Sequence, residues 1–180
     1  MLRTNWRAAA ALAGVAALII VGSGFAQVEK GKKAPDFSLK TLDGKDFKLK
    51  PLVSKGDDQK NVVVLAFWGS WCPPCRAEAP HLQKLFEKYG KDGVSVVGVA
   101  VEDDTRLVQR FVDYSKLTYT IVLDTETSRI ASKYGAPPIP RLYVLDRDGV
   151  VRSTHLGYGQ GAEKDVEKDI KQLLDEKPKP

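Results

Sequence analysis

At 180 residues, the chain has room for one domain of about 150 residues, the size at which a single hydrophobic core is well supported. Its net charge of +5 falls to +3 once Arg3 and Arg7 of the N-terminal segment are set aside, and the remaining lysines alternate with acids, as in Lys164-Asp165-Val166-Glu167-Lys168-Asp169. This is the pattern of a solvated surface and argues against nucleic acid as a partner. Two cysteines, Cys72 and Cys75, and two histidines, His81 and His155, are all that the chain offers for thiol or imidazole chemistry.

Arg3 and Arg7 precede an apolar run at residues 8–21, which is followed by Gly22-Ser23-Gly24-Phe25-Ala26. A charged start, a short apolar centre and small residues at Gly24 and Ala26 predict an export signal over residues 1–26, cleaved before Gln27. The rival reading is an uncleaved membrane anchor. The apolar span reaches only about 19 residues even with Phe25 and Ala26 counted, near the lower limit for a spanning helix, which favours cleavage. No cysteine adjoins the cleavage point, so lipoprotein anchoring is excluded.

Residues 37–39 and 47–49 flank Leu42-Asp43-Gly44 and predict a β-hairpin with a glycine turn. Residues 51–61, polar around Gly56-Asp57-Asp58, read as a mobile loop. Asn61-Val62-Val63-Val64-Leu65-Ala66-Phe67 is a β-branched apolar run suited to a strand buried on both faces. Leu82, Leu85, Phe86 and Tyr89 recur at helical spacing and mark a helix that ends at Gly90, a residue suited to the left-handed position after the last turn. Pro80 within it predicts a kink.

Residues 94–101 form a second apolar strand. Leu107, Val108 and Phe111 mark the buried stripe of a helix over residues 105–115, residues 119–123 alternate toward another strand, and Ile130 and Tyr134 belong to a short helix running to Gly135. Asp146-Arg147-Asp148-Gly149 is a turn between strands at 142–145 and 150–156. A last helix carries Val166, Ile170, Leu173 and Leu174 on one face. Residues 176–180 read as a disordered tail, leaving an α/β domain over residues 30–175.

The cysteines fall where the first buried strand gives way to a helix. Unpaired N–H groups and the positive end of the helix dipole favour an anion there, so Cys72 is expected to hold a thiolate more readily than a free cysteine. A structural disulfide fits poorly, because the loop it closes is very small and stabilisation grows with loop length. Zinc needs about four ligands, and only His81 and His155 could complete the set. Haem attachment through Cys-x-x-Cys-His fails because position 76 is Arg76. Cys72, ahead of the first turn, is expected as the accessible nucleophile, and Cys75, inside the turn, as the buried resolving thiol. Pro73 and Pro74 offer no N–H, so the thiolate loses two backbone donors and keeps chiefly the Cys75 amide. A moderately stabilised thiolate predicts a couple nearer the reducing end of a range running from roughly −270 to −120 mV.

Trp71-Cys72-Pro73-Pro74-Cys75 after such a strand resembles the active site of the thioredoxin superfamily, and more closely its extracytoplasmic TlpA and ResA type. Gly31-Lys32-Lys33-Ala34-Pro35-Asp36-Phe37 resembles the N-terminal extension these proteins share with peroxiredoxins of the AhpC/TSA kind. Ile139-Pro140-Arg141-Leu142-Tyr143-Val144-Leu145-Asp146-Arg147-Asp148-Gly149 resembles the cis-proline region and the hairpin after it. The resemblance covers residues 30–174 and implies a thioredoxin-like fold, a central mixed β-sheet flanked by helices with an N-terminal β-hairpin extension. It implies a thiol:disulfide oxidoreductase in which Cys72 and Cys75 form the redox-active disulfide, with no cofactor and no metal. It also implies that Trp71, Ile139 and Pro140 position the substrate, the Ile139–Pro140 bond being cis and facing the cysteines, so that an extended substrate strand can pair with the backbone.

The pattern is incomplete at one place. Where cytoplasmic thioredoxins carry a buried aspartate in the strand before the cysteines, this chain has Ala66. Relatives of the TlpA and ResA type often use a carboxylate at the end of the next strand, which implies Glu102 or Asp103 as proton acceptor. Glu102-Asp103-Asp104 equally suits favourable charge at a helix start. Implied partners are disulfide- or thiol-containing exported proteins, apocytochrome c first among them, and a membrane electron donor that keeps the dithiol reduced in a periplasmic or other extracytoplasmic compartment. Two alternatives come from other classes. A peroxiredoxin-like peroxidase wants threonine three residues before its cysteine, where this chain has Gly69. A copper-binding assembly protein, with His155 as a distant ligand, spaces its cysteines one residue wider.

Overall fold

The computed structural model describes residues 27–53, 61–101, 104–124 and 128–176. The expected export signal, most of the expected loop, the end of the tail, and both Glu102 and Asp103 lie outside the described residues.

Seven strands form one mixed sheet: β1 (Ser38–Thr41), β2 (Asp46–Lys48), β3 (Val62–Trp68), β4 (Val94–Val101), β5 (Thr120–Asp124), β6 (Arg141–Leu145) and β7 (Val151–Leu156), in the order β2-β1-β5-β4-β3-β6-β7. β3 and β4 run parallel with Ala66 opposite Gly98, while β3 and β6 run antiparallel with Ala66 opposite Leu142. Every residue of β3 is buried, as its unbroken apolar run requires of a strand covered on both faces.

The period of two splits the core. Val62, Val64, Ala66 and Trp68 face a cluster that holds both cysteines, Leu82, Leu85, Phe111 and Ile170. Val63, Leu65 and Phe67 face the other, with Phe37, Leu49, Tyr134 and Tyr143. The first cluster is closed by the helices α2 (Pro73–Tyr89), α3 (Thr105–Ser115) and α5 (Ala162–Asp175). The second is closed by α4 (Arg129–Tyr134), the β1–β2 hairpin and the short α1 (Lys50–Val53).

Four local expectations change. Residues 50–53, the start of the expected loop, form a helical turn whose Lys50 N–H donates to Asp36 and whose Leu52 and Val53 pack on the second cluster. Gly90 is right-handed at φ −59°, because a 3₁₀ turn follows it, and the left-handed residue is Gly93 at φ 86°. In α3 the buried stripe is Val108, Phe111 and Val112, and Leu107 is 43% exposed. Successive helical residues point about 100° apart, so a stripe centred on Val108, Phe111 and Val112 leaves Leu107 at its outer edge. Glu176, read as tail, is described and pairs with Arg152 at 2.6 Å.

Candidate active site

β3 carries the chain through the core, and four residues, Gly69 to Cys72, separate its end from the start of α2. Cys72 N–H donates to the Gly69 carbonyl at 3.1 Å. Trp71 folds back over that glycine: a Cβ at position 69 would lie 2.7 Å from the indole nitrogen. A side chain at position 69 would require Trp71 to shift.

Cys72 is the N-cap of α2, extended at φ −93°, and its sulfur accepts from the Cys75 N–H at 3.4 Å. Pro73 and Pro74 occupy the first two helical positions, so the Cys75 amide is the donor that the expectation left to the thiolate. The two cysteines are joined as a disulfide with Cα atoms 5.3 Å apart. Cys72 is 4% exposed and Cys75 1%. The expected contrast in access is therefore small in the oxidised protein. The neighbours differ more than the exposures do.

On the outer side, the Ile139–Pro140 bond is cis and the Ile139 carbonyl oxygen stands 4.0 Å from Cys72 Sγ. The preceding Pro137–Pro138 bond is cis as well, which the sequence reading did not foresee. Buried Arg141 holds this loop by donating from Nε to the Ala136 carbonyl, and the Pro140 carbonyl accepts from Gly157 N–H at 2.9 Å. Trp71 projects beside the loop at 55% exposure. With Val101, Ala131, Pro138 and Ile139 it lines an apolar cavity of about 290 Å³.

On the inner side lies a buried acid that the cysteine motif does not include. Glu78 is three residues beyond Cys75 and shares its buried face of α2. Burial alone pushes its carboxyl up to about 7. Its charge is felt by Tyr119 and Tyr158, whose hydroxyls are held above their ordinary value first by burial. Trp68 Nε1, buried near Tyr119 across Gly98, has no hydrogen-bond partner among the described residues. The signal that could have found Glu78 is its position: an acid on the stripe shared by Cys75, Ala79 and Leu82.

The histidines stand apart in separate contacts. His81 packs on Tyr158 with ring centroids 5.4 Å apart, and His155 Nε2 lies 2.9 Å from Asp169, next to Ser153.

A cysteine pair at the start of a helix, next to a cis-proline loop on a mixed sheet, defines a thioredoxin-like thiol:disulfide oxidoreductase. Residues 30–154 match the family model described as the AhpC/TSA family. The chain is 34% identical over 149 residues to the thiol-disulfide oxidoreductase ResA of Bacillus anthracis, covering 81% of this chain and 82% of that one. It is 37% identical over 133 residues to the thioredoxin-like protein YneN of Bacillus subtilis, covering 72% and 73%. Among solved structures it resembles a putative thiol:disulfide interchange protein DsbE from Chlorobium tepidum, with TM-score 0.74, 30% identity and coverage of 82% and 99%. It also resembles a secreted thiol-disulfide isomerase from Corynebacterium glutamicum, with TM-score 0.68, 30% identity and coverage of 79% and 86%. The chain belongs to the AhpC/TSA family and is a thiol:disulfide oxidoreductase of the ResA and DsbE kind.

Proposed function

We propose that this protein is exported and reduces disulfides in partner proteins, with Cys72 as nucleophile, Cys75 as resolving thiol, and Trp71, Ile139 and Pro140 positioning the substrate. One observation carries the reading: Cys72 caps a helix whose first two residues lack N–H groups, and its sulfur faces the Ile139 carbonyl. A thiolate with one backbone donor is stabilised modestly, and a modestly stabilised thiolate makes the reduced form the better electron donor.

In the reduced protein, Cys72 thiolate attacks one sulfur of the partner disulfide. The new Cys72–partner bond forms as the partner's own S–S bond breaks, and the second partner sulfur leaves as a thiolate that takes a proton from water. Glu78, across one turn of α2, accepts the Cys75 proton. Cys75 thiolate then attacks Cys72, forming the bond present in this structure and releasing the first partner sulfur. Two electrons pass to the partner and the protein is left oxidised. A membrane electron donor would restore the dithiol. Residues 1–26 read as the export signal, and apocytochrome c before haem attachment is the foremost partner by family resemblance. Glu78 is proposed as proton acceptor because it is buried on the Cys75 face of α2 and burial raises its carboxyl to about 7, while Glu102 and Asp103 lie outside the described residues.

The test replaces Cys75 with Ser, so that mixed disulfides on Cys72 persist, and identifies by mass spectrometry what is captured from the extracytoplasmic fraction. Proteins with paired cysteines are the expected catch. No capture, together with no insulin reduction by the wild-type protein, overturns the reading.

A further inference from the structure

Four large apolar side chains are exposed among the described residues, and three of them, Trp71, Leu107 and Tyr114, line one groove between the active-site turn and α3. Leu107, Arg110 and Tyr114 follow each other at i, i+3 and i+7, so α3 presents a second stripe alongside its core face. Tyr114 is 83% exposed. The groove encloses about 340 Å³.

Among the described residues the charges lining the groove are of one sign. Arg76 and Arg110 line it, and neither makes an ion pair among the described residues. Of the nearest acids of α3, Asp104 takes both a 2.7 Å and a 3.2 Å bond from Arg106 and feels the charge of Arg110 only at longer range, and Asp113 accepts from Gln109. The guanidinium of exposed Arg76 lies over the Phe111 ring at 5.6 Å from its centroid, a cation–π contact that leaves it available to an anion. Two arginines between aromatic faces are suited to carboxylates carried on a chain with apolar side chains. The groove begins at Ser70 and Trp71, immediately before Cys72, so whatever fills it lies within a few residues of the reacting sulfur.

We propose that this groove docks an acidic polypeptide segment that flanks the reacting cysteine of the partner protein. The carboxylates of that segment pair with Arg76 and Arg110, and an apolar or aromatic neighbour lies against Leu107 and Tyr114. The inference rests on the reading that the protein reduces partner disulfides and adds the chemistry of the partner to it. It concerns the α3 side of Trp71, whereas the cavity beside Ile139 is on the other side.

Two synthetic peptides test it, each closed by one internal disulfide and identical except for Asp-Asp-Phe or Lys-Lys-Phe next to the first cysteine. Their reduction by the reduced full chain is followed by stopped-flow fluorescence at low and high salt. The acidic peptide is expected to react about tenfold faster at low ionic strength, with the advantage shrinking as salt rises. R110E is expected to remove or invert the ratio between the two peptides. The ratio is internal to each variant, so a general loss of activity does not imitate the effect, and a Tyr114→Ala variant should slow the acidic peptide without inverting the order. Equal rates for both peptides, or a ratio unchanged in R110E, overturns the docking inference while leaving disulfide reduction intact. Failure to reduce either peptide or insulin overturns the underlying reading instead.

Discussion

The two sulfurs of one small loop face different worlds. Cys72 looks outward to the Ile139 carbonyl, with exposed Trp71 beside it and apolar and basic surfaces on either hand. Cys75 looks inward, on the face of α2 that also carries Glu78 and packs against Ala66 and Leu82. In the proposed mechanism the outer side meets a polypeptide and the inner side moves a proton. A helix N-terminus can serve both because its capping residue borders the cis-proline loop while its third residue already points into the core.

The largest expected break in this comparison comes from Cys72→Ser, which removes the outer nucleophile and should lower insulin reduction by roughly 10³-fold or more, as loss of a nucleophile does in other enzymes. Cys75→Ser should instead arrest the reaction after its first half, with mixed disulfides visible on non-reducing gels.

Glu78→Gln addresses the inner side through stability. The native carboxyl holds its proton up to about 7, whereas in the unfolded chain it ionises near 4.5. Between those values the native state binds more protons, so the wild-type protein should lose stability as pH rises through that window, on the order of 3 kcal/mol from this group. Glu78→Gln should flatten the slope and be the more stable protein at pH 8, as read by guanidinium unfolding at pH 5 and pH 8. An unchanged slope would mean that the inner carboxylate is not the buried acid described here. The same variant should slow release from the mixed disulfide while leaving its formation less affected.

Val108→Ala and Leu107→Ala compare the two faces of α3 directly. The first should cost about 2 kcal/mol, since it empties core volume, and the second less than about 0.5 kcal/mol, as for a surface change. Trp71→Ala belongs to the outer side alone. It should lower kcat/KM for a peptide disulfide about tenfold, equivalent to about 1.4 kcal/mol, with no more than a small change in unfolding midpoint.

Much of this site is legible in the sequence. The β-branched run ending at Phe67 placed a buried strand, the paired cysteines beyond it placed a helix start, and Ile139-Pro140 was expected to be cis and is. Glu78 is legible only as an acid on the stripe of Cys75, Ala79 and Leu82; that it is buried there depends on what covers that stripe. Arg141 was silent: its bond to the Ala136 carbonyl depends on how the loop closes. Leu107 misled in the opposite direction, since its hydrophobicity suits a core that Val108, Phe111 and Val112 already fill.

By itself the sequence determined the order of elements, the two-sided burial of β3 and the dithiol at the start of α2, since these follow from local periodicity, proline and cysteine spacing. Which sulfur has which neighbours was settled only by packing. The Ile139 carbonyl is 67 residues from Cys72 along the chain, and its approach depends on β6 pairing with β3. The rise in the Glu78 carboxyl depends on how completely the sheet and helices exclude water from it. Distance and dielectric are properties of the assembled fold, and no stretch of the chain carries them alone.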